Sequence, residues 1–308
     1  MNKNNTMKKE YVQKLIFYIS IIALPLLQFV IFYIGVNFNT FFLSFENYQM
    51  VNGELTQTFA GLTHIIGAYK KLFTEPIFAY CLKNSVIFYL LNVLSGTVFS
   101  LSFSYYIFKK RNLSNFFKAM LYLPAIVSSM VLSVVFKYFF NLGIPAVVKM
   151  VSGINILGWT DNFTVEYLMV IIYNFIISLG GNMLIYTGTM ASISESSIEA
   201  AQIDGVNAYQ EFWYIVIPSI FRTLSLFLVT NLLTIFNGQG NIFNFFGQKA
   251  AEKLYTFGYW IYVEILIANG DLVQFPAISA VGMALTFIAI PLIFSARWLF
   301  NKYGPSEE

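Results

Sequence analysis

A single cysteine, Cys81, and a single histidine, His64, are all that the 308 residues offer to a disulfide or to a cysteine- or histidine-based metal centre. One cysteine closes no internal bridge and builds no cysteine-based metal site. Cys81 reads instead as a small apolar residue near a helix start. One histidine builds no imidazole ligand set, and His64 reads as an ordinary polar surface residue in an outer segment. No G-x4-G-K-[ST] run occurs, so the chain has no P-loop with which to hold ATP. HExxH is also missing, and no catalytic carboxylate pair falls within the apolar runs, which argues against an intramembrane enzyme. No internal repeat or low-complexity segment is found. Charge itself is scarce. Asp, Glu, Lys and Arg make up 11% of the chain, against ~25% in soluble domains.

What fills the space is apolar. The chain is 57% hydrophobic and 19% aromatic, with a mean hydropathy of +0.67. A membrane helix needs ~20 mostly apolar residues, and six runs meet that length. They are Leu15–Val36, Ser85–Phe108, Ala119–Phe140, Tyr167–Met190, Phe212–Asn237 and Pro276–Trp298. The expected fold is an all-α integral membrane protein of about six transmembrane helices, with lipid as its main solvent. A net charge of +3 says little alone, and no nucleic acid is expected as a partner. Its distribution says more, because Lys and Arg collect in short cytoplasmic loops. Lys3, Lys8, Lys9 and Lys14 precede the first run, and Lys109, Lys110, Arg111 and Lys118 crowd one short loop. Arg222, Arg297 and Lys302 fall on the same side, while the longer opposite segments are more dilute in charge. Both termini are therefore expected in the cytoplasm.

The N-terminal run is over 20 residues long and no small-x-small cleavage site follows it, so it reads as an uncleaved first helix. The expected organisation is a tail at 1–14, a first helix at 15–36 and an external segment at 37–84 with short interfacial elements. A five-helix core at 85–302 and a tail at 303–308 follow. The outer segment 238–275 contains an amphipathic-looking stretch, Leu254–Ile267. Pro124, Pro291 and the pair Gly180–Gly181 interrupt the runs. Membrane helices tolerate such breakers when neighbours satisfy the freed backbone groups, and small residues also let helices pack closely.

The loop at 191–218 is polar and locally well punctuated. Ser196 and Glu199 have capping-box spacing, and Gly205 stands where a helix needs a left-handed cap. Asn207 and Gln210 repeat the capping signature, so a second helix can restart at once and run toward Pro218. The expectation is a rigid helix-turn-helix, suited to docking in a groove of another protein.

Glu199-Ala200-Ala201, three residues, Gly205, nine residues, then Ile215-Val216-Ile217-Pro218 resembles the EAA loop of ABC importer permeases. Only Ile217 departs from the pattern E-A-A-x3-G-x9-I-x-L-P. Asp204 and Phe212 also suit it. Asn84-Ser85, the Pro124 region and Pro276-Ala277-x-Ser279-Ala280 extend the likeness, which is to MalF-type subunits of carbohydrate importers with the MetI-like fold. The resemblance implies a loop that serves as the coupling helix of a cytoplasmic ATPase dimer. Glu199 would be the acidic anchor, Ala200 and Ala201 would permit close approach, and Asp204 with Gly205 would make the turn. Ile215 and Pro218 close the motif. It further implies a second, MalG-like permease, an extracytoplasmic solute-binding protein, and Mg-ATP on the ATPase, with no cofactor on this chain. The bacterial inner membrane is the implied location.

Polar residues inside membrane helices usually face the bundle interior. Asn174, Ser178 and Gly181 share one face of the fourth run. Thr230, Thr234 and Asn237 share one face of the fifth, with Asn231 beside them. Ser129, Ser133 and Lys137 align in the third. Asn174 and Gly181 also stand at spacings before Glu199 where the maltose subunit places sugar contacts, but Ser178 and Gly181 differ in type from those residues. Two roles are open for these groups: contact with a small sugar, or hydrogen bonds between helices. A non-sugar solute such as a polyamine or glycerol phosphate is the alternative cargo. A stand-alone secondary carrier would need ion-coupling acids in the spans, and none is well placed.

Overall fold

A computed structural model describes residues 3–51, 54–60, 66, 67, 69, 70, 73–155 and 163–305, with side chains from residue 11 onward. His64 lies outside the described residues. The chain divides into two compact units. One is Met1–Leu72 with Ala268–Ala284, and the other is Phe73–Ile267 with Leu285–Glu308.

In the first unit, Lys3–Gln28, a wide π-type turn at Phe29–Gly35, and Val36–Leu43 continue one another as helix α1. Its apolar part, Tyr11–Leu43, has a mean hydropathy of 2.5. Its side chains are exposed nearly throughout. A helix apolar on all sides and uncovered by protein is one that lipid solvates. Strands β1 (Glu46–Val51) and β2 (Glu54–Phe59) then pair antiparallel, Glu46 opposite Phe59. The Tyr48 hydroxyl and the Gln57 amide both donate to the Glu46 carboxylate, at 2.7 and 2.6 Å. Among the described residues these two strands form the only sheet.

The second unit is organised by α2 (Pro76–Phe108) and α5 (Phe163–Met190), which run parallel, Asn84 bonded to Tyr167 near their starts and Ser104 to Met183 near their ends. Pro76 starts α2 at the position where a missing N–H costs nothing. The helix therefore begins before the expected boundary at Ser85. Small polar residues bring the two helices together. Ser95 and Ser178 share a hydrogen bond between their hydroxyls. Ser100 Oγ donates to the Leu179 carbonyl at 2.6 Å and Ser104 Oγ to Met183 at 2.9 Å. Asn182 Nδ2 donates to the Gly96 carbonyl at 2.9 Å. That last bond serves a π-type turn at Leu94–Phe99, where the regular ladder leaves carbonyls to be satisfied from outside.

Two apolar runs are not single helices. Ala119–Phe140 is cut at Val127 and Ser128, both extended, so α3 (Ser114–Ile126) ends and α4 (Ser129–Ser152) restarts. Pro124 supplies no N–H to the turn before it, which weakens the end of α3. The Tyr173 hydroxyl of α5 donates to the carbonyl of Ser129, the first residue of α4, at 2.7 Å. Phe212–Asn237 is likewise split. Helices α7 (Ala208–Ser219) and α8 (Phe221–Asn237) meet at 74°. Pro218 again removes a donor, and the Ser219 hydroxyl takes the Ile215 carbonyl at 2.6 Å. Among the described residues, five helices, α1, α2, α4, α5 and the last helix (Phe275–Tyr303), are long and apolar enough to cross a membrane, and the count is six where the bent pair is taken as one span. Between them lie α6 (Glu195–Ile203), the short α9 (Ile242–Phe246) and α10 (Phe257–Ala268), so the last is α11. Helix α10 is not amphipathic in charge. It buries Phe257, Tyr259, Trp260 and Val263 and exposes Tyr262, Ile265 and Ile267.

One close approach fixes α3 on α5. A Cβ on Gly180 would stand 2.2 Å from the Leu121 carbonyl oxygen, whereas one on Gly181 would meet nothing within 4 Å. Gly180→Ala is expected to lower stability by about 1–3 kcal/mol through overpacking. Gly181→Ala should be neutral or stabilising by up to ~1 kcal/mol through lower chain entropy. Thermal unfolding of both variants in detergent, followed by tryptophan fluorescence, checks the contrast.

Candidate functional site

The segment from Ser194 to Ser219 folds as a helical hairpin. Ser194, not Ser196, caps α6. Its Oγ accepts from the Ser197 amide at 3.3 Å, and the two serine hydroxyls lie 2.6 Å apart. The expected box at Ser196 and Glu199 does not form. Successive serines offer equivalent caps, and the one that leaves Glu195 in the first turn places a carboxylate at the positive end of the helix. The other end is a Schellman turn. The Val206 amide donates to the Ala201 carbonyl at 3.0 Å, and the Gly205 amide to Gln202 at 3.2 Å. Gly205 has φ +73°, a conformation open to glycine at little cost. Asn207 then caps α7 with a complete capping box. The Gln210 amide donates to Asn207 Oδ1 at 2.9 Å, and the Asn207 amide to Gln210 Oε1 at 3.0 Å.

The hairpin has an inner and an outer face. Ala201 is buried, whereas Glu199, Ala200, Asp204 and Gly205 are exposed. The two alanines therefore differ: Ala200 is free for a partner, and Ala201 packs inward. Ile203 is 86% exposed and Tyr209 71%. Ile215 and Pro218 are half-buried, next to Val216, which is fully buried with Leu101, Tyr186, Met190, Ile220 and Leu224. Glu199 lines a cavity of about 580 Å³ between α6 and the end of α2, together with Ile198, Gln202, Lys109 and Lys110.

Sequence reasoning missed the group that holds this hairpin. Glu211 sits in α7 with its side chain 3% exposed, and Lys109 lies just past the end of α2. Lys109 Nζ is 2.9 Å from both carboxylate oxygens. The Tyr105 hydroxyl lies 3.2 Å from Glu211 Oε1 and donates to the Ala208 carbonyl at 3.0 Å. The rings of Tyr105 and Phe212 pack 5.0 Å apart. The turn after Lys109 is tightly bent, with left-handed backbone at Lys110 and Leu113. A signal for the pair existed. An acid at the edge of an apolar run needs a cation, and Lys109 ends another such run.

The polar residues of the spans divide. Asn174 is fully engaged. Its amide donates to the Val170 and Gly240 carbonyls, both at 2.8 Å, and its oxygen accepts from Asn241 at 2.8 Å. Asn244 extends the chain to Asn241 and Ser129, and Ser133 donates to the Asn244 carbonyl. Lys137 Nζ reaches the Phe245 carbonyl at 3.3 Å. These groups tie α4 and α5 to the segment around α9. Ser178 is paired with Ser95, and Thr234 bonds the Asn231 carbonyl of its own helix. Gly181, Thr230 and Asn237 stay exposed. Asn231 Nδ2 is buried with no hydrogen-bond partner.

Removing one partner of a buried charge pair strands the other. Glu211→Ala should therefore cost about 3–5 kcal/mol, whereas Lys109→Met with Glu211→Leu should cost far less. Chemical denaturation of the single and double variants in detergent checks the difference.

Comparison with known proteins places this architecture. Residues 92–306 match the family described as "Binding-protein-dependent transport system inner membrane component". The multiple sugar-binding transport system permease MsmF of Streptococcus mutans is 23% identical over 88% of this chain and 90% of that protein. The polygalacturonan/rhamnogalacturonan transport system permease YteP of Bacillus subtilis is 24% identical over 85% of this chain and 81% of its own length. A chain of a bacterial ABC transporter for alginate import superposes with a TM-score of 0.75 at 17% identity, covering 97% of this chain and 99% of that one. The match at 92–306 spans more than two thirds of the chain, and the chain belongs to the binding-protein-dependent inner membrane components, the permeases of ABC importers.

Proposed function

We propose that this chain is one of two permease subunits of an ATP-driven importer of saccharides in a bacterial inner membrane. A second, MalG-like permease completes the path. An extracytoplasmic binding protein delivers the solute, and a cytoplasmic ATPase dimer supplies the drive with its own Mg-ATP. Both termini and the 194–219 hairpin face the cytoplasm. The observation that carries this reading is the hairpin itself. It is doubly capped, turned at Gly205, exposed along Glu199, Ala200 and Ile203, and clamped to α2 from within. Saccharide as cargo is supported by the sugar-transport relatives.

The mechanism follows from rigidity. The hairpin seats in a cleft of the ATPase, with Glu199 as the charged contact. When ATP closes the dimer, the hairpin is carried along. Because Lys109 and Glu211 join it to α2, α2 and α5 tilt with it, and the cavity changes the side to which it opens. Gly181, Thr230, Asn231 and Asn237 remain available to line that cavity. Asn174, Ser178 and Thr234 shape it as helix contacts.

The test uses the reconstituted importer with its loaded binding protein. A charge-assisted contact is worth ~1.5–3 kcal/mol, so Glu199→Ala should cut solute-stimulated ATPase and transport by about tenfold or more. Gly205→Pro fixes φ near −65° and should abolish coupling. Unaltered transport in both variants contradicts the coupling role.

A further inference from the structure

At the opposite end of the α2–α5 pair from the hairpin lies a second cavity of about 270 Å³, lined by Tyr80, Lys83, Asn84, Phe163, Tyr167 and Lys253. We propose that it is a binding site for a single carboxylated sugar unit, a hexuronate carried by the imported saccharide. This inference rests on the saccharide reading above.

Three observations converge on it. The first is that the frame is built. Asn84 is buried, donates to the Lys253 and Tyr255 carbonyls at 2.8 and 2.9 Å, and accepts from the Tyr167 hydroxyl at 3.1 Å. The Phe257 amide donates to Ser85 Oγ at 3.2 Å beside it. One amide thus pins α2, α5 and the 252–255 turn around the cavity. The second is charge. Lys83 and Lys253 contribute two cations, and among the described residues no carboxylate lines the cavity and neither lysine has an ion-pair partner. The third is the wall. Phe163 and Tyr167 stack at 6.2 Å and 21°, and the Lys253 ammonium stands 5.9 Å from the Phe163 ring centre.

Aromatic faces suit the apolar face of a sugar ring, and ammonium groups suit its carboxylate. The volume falls just below the ~300–1,000 Å³ of sites for drug-sized ligands, which limits the occupant to about one ring. A neutral sugar would draw nothing from the two cations, and a bare anion would leave the aromatic wall unused.

The experiment titrates the assembled importer, in nanodiscs of zwitterionic lipid without binding protein, with tri-galacturonate, maltotriose and inorganic phosphate. Tri-galacturonate should bind saturably and more weakly as salt rises. Lys83→Gln with Lys253→Gln should weaken it tenfold or more, and maltotriose should bind no better to wild type than to the variant. Phosphate should displace tri-galacturonate only at far higher concentration. Both lysines are exposed, and an unchanged size-exclusion profile and unfolding temperature of the variant complex show intact assembly. Absent binding, equal affinity in the double variant, maltotriose binding as tight as tri-galacturonate, or displacement by equimolar phosphate each overturns the proposal. The saccharide reading fails separately, if no saccharide-loaded binding protein stimulates the ATPase.

Discussion

Glu211 closing on Lys109 is the constraint on which the rest of the second unit depends. Both carboxylate oxygens lie 2.9 Å from one ammonium, and Tyr105 adds a contact from the same helix. Desolvating two charges is costly, and only good geometry with extra hydrogen bonds offsets it. Lys109 also stands at the C-terminal end of α2, where the helix dipole favours a cation. Such a pair adds little net stability over apolar residues of the same shape, but it specifies where the hairpin sits.

That position matters because of what α2 touches next. Its seryl face, from Ser95 to Ser104, is hydrogen-bonded to α5 at Ser178, Leu179 and Met183. Asn182 completes the seam at Gly96. Without a hydrophobic drive between helices in lipid, small residues and interhelical hydrogen bonds set the packing. The hairpin, α2 and α5 are therefore joined by one continuous set of hydrogen bonds and an ion pair. Asn174 extends it further, tying α5 to Gly240 and Asn241. On the proposed function, force from the ATPase enters at Glu199 and reaches the interior through this seam.

The membrane character and the hairpin were legible in the sequence because both are local. Apolar length reports on lipid, and the Gly205 turn with the Asn207 and Gln210 caps is decided within a few residues. The cap of α6 was misplaced because neighbouring serines compete, and the difference lies in one carboxylate at Glu195. Pro124 marks an interruption in the third run but not its place, because Val127 and Ser128 carry no glycine or proline themselves. Pro124 acts on them from a turn away. The clamp escaped for a deeper reason. Lys109 and Glu211 are 102 residues apart, and Lys109 had an adequate explanation as one of the loop cations. Likewise, periodicity puts Asn174 and Ser178 on one face but does not say what that face meets. Only the packing shows that their hydrogen bonds are already spent.

The central claim is that hairpin and α2 move as one body. Spin labels at Gln202→Cys and Ser102→Cys, in a Cys81→Ala background, report the distance between them by double electron–electron resonance. The account predicts one distance distribution, unchanged between the nucleotide-free and ATP-closed importer. A shift of several ångströms between the two states would show that the hairpin swings independently of α2 and would contradict it.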